Sequence, residues 1–201
     1  MNLKFFNKVN KYDFKSLFNK KKYTFFENGD FNINIIGIRF KVLNNIQDNS
    51  FNDALCLIYK EKGVEKRKVF EITTDPGLKS LKNFDNSKGC AILVPNQYKS
   101  TWQIGLHKGK YEALVQRKEV EVYRDRNKDN KLDYLNKDKG LFGINIHKAG
   151  LNSKIVEDWS AGCQVFRKSS NFEEFMNICR KSKELYGNSF TYTLLNEEDL
   201  I

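Results

Sequence analysis

Apolar and polar positions follow two rhythms along this chain. From Leu3 to Phe18 the residues Leu3, Phe6, Val9, Phe14, Leu17 and Phe18 recur at helical spacing between lysines and asparagines, which predicts one amphipathic helix. From Phe31 onward the rhythm is that of strands. Phe31 to Phe40 alternates in part, Ala54 to Tyr59 is a continuous apolar run, and Val69 to Ile72 leads into the turn Thr74-Asp75-Pro76-Gly77. Further strands are predicted at Cys90 to Val94, Thr101 to Leu106, Tyr111 to Gln116 and Val120 to Tyr123, mostly separated by Gly, Asn or Lys turns. Phe142, Ile144 and Ile146 lie on one face of a run that ends on His147. Ser170 or Asn171 can cap a helix over Phe172 to Tyr186 with Gly187 as its stop, and Phe190 to Leu195 reads as a final strand.

These elements predict a mainly β, α+β chain of mostly antiparallel strands, with an N-terminal helix and one helix near the C-terminus. The expected division is an N-terminal helical segment, 1–28, and a main domain, 29–201, without internal repeat or flexible linker. At 201 residues the chain can bury a substantial core, and its apolar runs are strand-sized, well short of the roughly 20 residues a spanning helix needs. The N-terminus, MNLKFFNKVNKYDF, holds no continuous apolar segment or small-residue cleavage site, so the expectation is synthesis in the cytoplasm without a signal peptide.

Charge changes the picture of partners. The formal net charge is +10, which favours polyanions such as nucleic acid, anionic lipid or an anionic cell wall. The basic residues are scattered apart from Lys20 to Lys22, and no arginine-rich arm, zinc-finger spacing or RNP-type aromatic motif supports a nucleic-acid partner.

Chemistry concentrates between Leu141 and Phe166. One of the two histidines, His147, ends the alternating run, and sixteen residues later Cys163 sits in Ser160-Ala161-Gly162-Cys163. A cysteine becomes a good nucleophile near neutral pH only where a cation, a base or a helix N-terminus favours its thiolate. His147 is the natural base. Gly162 permits a sharp turn whose backbone N–H groups can gather into an oxyanion hole, Ser160 can hydrogen-bond within that turn, and a carbonyl near Lys148 or Ala149 can orient the imidazole. His107, Tyr111, Trp159 and Gln164 are candidate substrate contacts, with structural roles for His107, Tyr111 and Trp159 left open beside that reading. Cys56 and Cys179 fall on apolar stripes and read as core thiols.

A second candidate site is the run RDRNKDNKLDY. Asp125, Asn127, Asp129 and Asp133 occupy positions 1, 3, 5 and 9 of a calcium-loop pattern, with the Lys131 carbonyl at position 7. Position 6 is Asn130 in place of Gly, and position 12 is Asn136, which cannot supply the bidentate carboxylate. A structural calcium and a plain polar hairpin turn stand as equal alternatives.

The stretch from His147 to Cys163 resembles the L,D-transpeptidase catalytic domains of the YkuD type. In that family a strand histidine is followed at similar distance by a Ser/Thr-His-Gly-Cys turn. His147, Ser160, Gly162 and Cys163 fall on that pattern, and Gly89 to Tyr98 is similar to an upstream strand-turn. The resemblance implies an antiparallel β-sandwich and attack by Cys163 on the peptide bond after the L-centre of a peptidoglycan stem. His147 then protonates the leaving amine, and no metal is required. Ala161 stands where the family has its second histidine, and Gln164-Val165 where it has a hydrophobic-Arg pair, so the substrate contacts of those residues do not carry over. The expected activity is cleavage rather than cross-linking, as in a phage-type or effector wall hydrolase acting after release or from a virion. The alternative is a non-catalytic wall-binding or virion domain with a calcium loop.

Overall fold

The computed structural model describes residues 2–84 and 86–200. The N-terminal stretch forms two helices, α1 (Leu3–Lys11) and α2 (Phe14–Lys21), in place of the single helix expected. Asp13 breaks the run because its carboxylate caps the second helix, accepting from Ser16 N at 3.1 Å. Among the described residues eleven strands follow: β1 (Asn34–Arg39), β2 (Asp53–Glu61), β3 (Val64–Thr73), then a short helix α3 (Leu78–Lys82), β4 (Cys90–Leu93), β5 (Gln97–His107), β6 (Tyr111–Gln116), β7 (Val120–Asp125), β8 (Lys137–Gly140), β9 (Ile146–Lys148) and β10 (Gln164–Phe166). Helix α4 (Ser169–Tyr186) leads into β11 (Phe190–Asn196). Among the described residues no helix is long and apolar enough to cross a membrane.

The sandwich expectation is overturned. Eight strands close a barrel in the order β1-β11-β5-β6-β9-β10-β3-β2, and β4-β7-β8 form a separate three-stranded sheet. Closure depends on two parallel pairings, β1 with β11 and β9 with β10. Each joins strands that are distant in the chain or separated by an irregular loop, so local alternation carries no trace of them.

Strand β1 shows how the layers arise. It is buried along its whole length, with Ile35 on the face that joins Leu55, Leu57 and Tyr192, and Ile36 and Ile38 on the other. The second face, with Cys56 and Ile58, is covered by Phe5, Val9, Phe14 and Phe18 of the N-terminal helices. Gly37 is required between these faces, because a Cβ there would lie 1.8 Å from the Tyr192 hydroxyl. Helix α4 starts at Ser169, earlier than expected, and sinks Phe172, Phe175, Met176 and Cys179 into the main core beside Phe166.

The run from Phe142 to Ile146 is not one strand. Gly143 adopts φ +71°, and the N–H groups of Phe142 and Ile144 donate to the Gln116 side-chain oxygen at 3.2 and 2.9 Å instead of to main-chain carbonyls of a neighbouring strand. His147 therefore sits in the middle of a three-residue strand that begins only at Ile146.

Candidate active site

The parallel pair β9 and β10 builds the site. Gln164 pairs in register with Ile146 and Val165 with His147, and Gln164 N donates to Asn145 O at 2.9 Å. Cys163, one residue ahead of β10, is thereby set beside Asn145, whose main-chain N–H donates to its sulfur at 3.4 Å. The thiol in turn donates to Gly143 O at 3.4 Å. No hydrogen bond joins it to His147 in this structure, and catalytic bonds of this kind often tighten only with substrate bound.

The turn presenting the thiol is braced on every side. Ser160, fully buried, donates its hydroxyl to Cys163 O at 2.8 Å and accepts from Gly162 N at 3.1 Å. Gly77 N donates to Ser160 O at 2.9 Å, which ties the turn to the start of α3. Gly162 has φ +125°, and a Cβ on it would lie 2.0 Å from Ala91 O of β4. Gln164, expected to touch substrate, is fully buried: its amide nitrogen reaches Thr74 O at 3.5 Å and Gly162 O at 3.3 Å, and its oxygen accepts from Tyr192 OH at 2.7 Å. Gly162 N is thus engaged inside the turn by Ser160.

His147 is 3 % exposed, with Nδ1 2.9 Å from Lys148 O and 3.4 Å from the Tyr111 hydroxyl. Tyr111 also donates to Lys148 O at 3.3 Å. A carbonyl only accepts, so Nδ1 carries the proton and Nε2 is left as the basic lone pair. His107 is 6 % exposed, and its ring stacks on His147 at 4.0 Å between centroids and 21° between planes. Trp159 is 44 % exposed beside Gly150.

Burial decides the charge state. It pushes His147 down to about 3, reinforced by His107 and Lys108 and opposed by the Lys148 carbonyl. It raises the Cys163 thiol above its ordinary value, against the opposing pull of the Asn145 N–H and Lys108. Both shifts favour a neutral imidazole and a neutral thiol over an ion pair.

A cavity of about 450 Å³ adjoins the turn on the Gly143 side, walled by Phe84, Leu141, Phe142 and Ala161, with Asn86 and Arg124 among its polar groups. A second cavity of about 350 Å³ opens over Arg39 and Tyr134 and shares no residue with the thiol site. Beneath the turn lies a buried cluster that sequence reasoning passed over. Arg39 meets Asp75 at 2.9 Å and donates to Leu93 O at 3.0 Å, while Asp53 accepts from Thr74 N at 2.6 Å and Phe40 N at 2.7 Å. A charged residue closing the otherwise apolar run of β1 was its one signal.

The calcium-loop residues fold as a polar turn. Asp125, buried, accepts from Asp133 N at 3.1 Å, Asn127 accepts from Asp129 N at 3.2 Å and donates to Asp133 at 2.9 Å, and Asp129 accepts from Lys131 N at 2.6 Å. Among the described residues no three His, Cys, Asp or Glu side chains converge as a metal-binding group. Burial raises Asp125 above its ordinary value against the main-chain N–H bonds of Asp133 and Asn127, with the charges of Asp133 and Asp129 adding to the rise.

No family model, no curated protein and no solved structure matches the chain.

Proposed function

We propose that the chain is a cysteine-dependent enzyme of L,D-transpeptidase-like chemistry, cleaving or exchanging the bond after the L-centre of a peptidoglycan stem peptide. The observation that carries this reading is the tautomer of His147. A histidine whose Nδ1–H is anchored on Lys148 O, which leaves the lone pair on Nε2, stands on β9, and Cys163 immediately precedes β10, the strand paired with it. In the proposed reaction Sγ attacks the carbonyl carbon as its proton passes to Nε2. The C–N bond breaks, the imidazolium returns the proton to the leaving amine, and water or a second amine releases the thioester. The N–H of Cys163 supports the oxyanion, and the cavity at Ala161 and Phe142 offers room for the acyl side of the stem. The net charge of +10 suits an anionic wall.

The test is purified peptidoglycan or muropeptides incubated with wild type and Cys163→Ala, read by mass spectrometry for shortened stems and for an acyl adduct on the intact protein. Product and adduct with wild type alone are the expected result; no product from either protein overturns the proposal. A second reading, a wall-binding domain without activity, draws on the thiol's bond to Gly143 O and its raised pKa. It predicts that Cys163 alkylates at a rate indifferent to His147→Ala.

A further inference from the structure

His107 is the second of the two histidines, and the geometry around it is more specific than core packing requires. It ends β5, opposite Tyr111 in the β5–β6 hairpin, and its ring lies flat on His147. Its Nδ1 is 3.0 Å from the side-chain nitrogen of Asn145. The orientation of that amide is set elsewhere, because Asn145 Oδ1 accepts the main-chain N–H of Gln116 at 3.0 Å. The nitrogen end must then face His107, and an NH₂ group only donates. His107 Nδ1 is therefore an acceptor, with the ring proton on Nε2. The two stacked imidazoles hold opposite tautomers, one fixed by Asn145 and the other by the Lys148 carbonyl. Asn145 also donates its main-chain N–H to the Cys163 sulfur, so a single residue orients the thiol and the second imidazole.

We infer that His107 is a positioning residue for His147. Asn145 holds it in the neutral Nε2–H form, so that a flat, uncharged ring fixes the plane of the base beside the thiol. The inference rests on the proposed Cys163–His147 chemistry. Its physical content is that protonating His107 at Nδ1 would break the Asn145 bond, or break the Gln116 bond if the amide flipped. The stack thus keeps a second cation away from His147, and when His147 takes the proton from sulfur the neutral ring offers its π face to the imidazolium. The charged and titratable groups around the pair are Lys108 at the hairpin, Tyr111 on β6, Cys163, and Lys148, whose ammonium lies 5.2 Å from the Tyr111 ring centre and pairs with Glu173 of α4 at 3.1 Å. Lys108 disfavours the charged form of both histidines, and burial does the same.

With only two histidines in the chain, long-range ¹H–¹⁵N correlation on ¹⁵N-labelled protein reads both rings directly. The expected result is Nε2–H for one ring and Nδ1–H for the other, assigned by His107→Phe, with His147 neutral from pH 5 to 8. Asn145→Asp, which replaces the donor by an acceptor, should move His107 to an Nδ1–H or charged form and raise its titration midpoint. On muropeptides, His107→Ala should lower kcat between about tenfold and a hundredfold with KM little changed, and His107→Phe, which keeps a flat ring, should restore most of it. Two rings of the same tautomer, or an Asn145→Asp variant in which neither titration moves, would overturn the assignment. So would an undiminished kcat in His107→Ala. If wild type turns over no muropeptide, the proposed function falls while the tautomer measurements still decide the role of Asn145.

Discussion

Gly162→Ala is the sharpest test of how the thiol is presented. At φ +125° only glycine is comfortable, and a non-glycine residue held there costs about 1–3 kcal/mol in backbone strain. The added Cβ would also meet Ala91 O at 2.0 Å, a main-chain atom in β4 that cannot swing aside as a side-chain tip would. Forcing that strand back is an overpacking cost of about 1–3 kcal/mol more. The sum centres near about 4 kcal/mol, which for a chain of this size lowers Tm by roughly 8 to 16 °C. Gly109→Ala is the internal control: its φ is +70°, nothing lies within 4 Å of its Cβ position, and it should lose only about 1 kcal/mol. Urea titration of both variants by circular dichroism, with m unchanged, gives the comparison. If Gly162→Ala loses no more than Gly109→Ala, the close packing of the turn on β4 is not what holds Cys163, and the bracing argument fails.

Three further outcomes follow from the site and its support. Ala161→Phe, which fills the cavity lined by Ala161 and Phe142, should raise KM for muropeptides while leaving iodoacetamide alkylation of Cys163 within about twofold of wild type, since a small reagent does not need that space; equal KM values would remove the cavity from the proposed substrate path. Because burial holds His147 at about 3 and lifts the thiol above its ordinary range, the acid limb of kcat/KM should lie well below pH 6.5 and alkylation should keep rising through pH 9, whereas a half-point between 6 and 7 would mean that His147 titrates as a free histidine. Burial and the neighbouring Asp75 raise Asp53 to about 7 against the pull of its two main-chain N–H bonds. The folded state then binds this proton more tightly than the unfolded chain, so its stabilising contribution is complete below about pH 4 and fades as pH rises to about 7, by at most about 1.4 kcal/mol per pH unit. Melting curves of wild type and Asp53→Asn from pH 4 to 8 check the sign, the variant being expected to show the flatter slope.

What the sequence disclosed and what it hid divide along physical lines. Strands β2, β6 and β11 announce themselves because local alternation or a buried apolar run is enough to mark them. Barrel closure does not, because β1–β11 and β9–β10 pair in parallel and neither pairing leaves a turn signature. The Phe142 run misled for a related reason: its N–H groups are satisfied by one Gln116 side chain, a partner that no period reveals. At the candidate site, glycine-turn chemistry and spacing singled out Cys163 and His147, which the structure places on or next to the paired strands β9 and β10. Asn145 was not, since its value lies in touching the thiol by main chain and His107 by side chain at once.

The bracing of the turn bears on how the thiol can act. Ser160, Gly162 and Gln164 are each fixed by partners outside the turn, at Gly77, Ala91, Thr74 and Tyr192, so the backbone around Cys163 has little freedom to move toward the base. His147 is equally fixed, by Lys148 O on one nitrogen and the His107 ring on one face. The mobile coordinate left between two rigid partners is rotation of the Cys163 side chain away from Gly143 O. Such a rotation exchanges one weak S–H bond for another, at a cost well under the roughly 1 kcal/mol of an ordinary hydrogen bond. In the proposed chemistry this rotation would carry the thiol from Gly143 O toward His147 when a substrate carbonyl displaces the Gly143 contact. On this argument Gly143 belongs to the control of the site as much as Gly162 does.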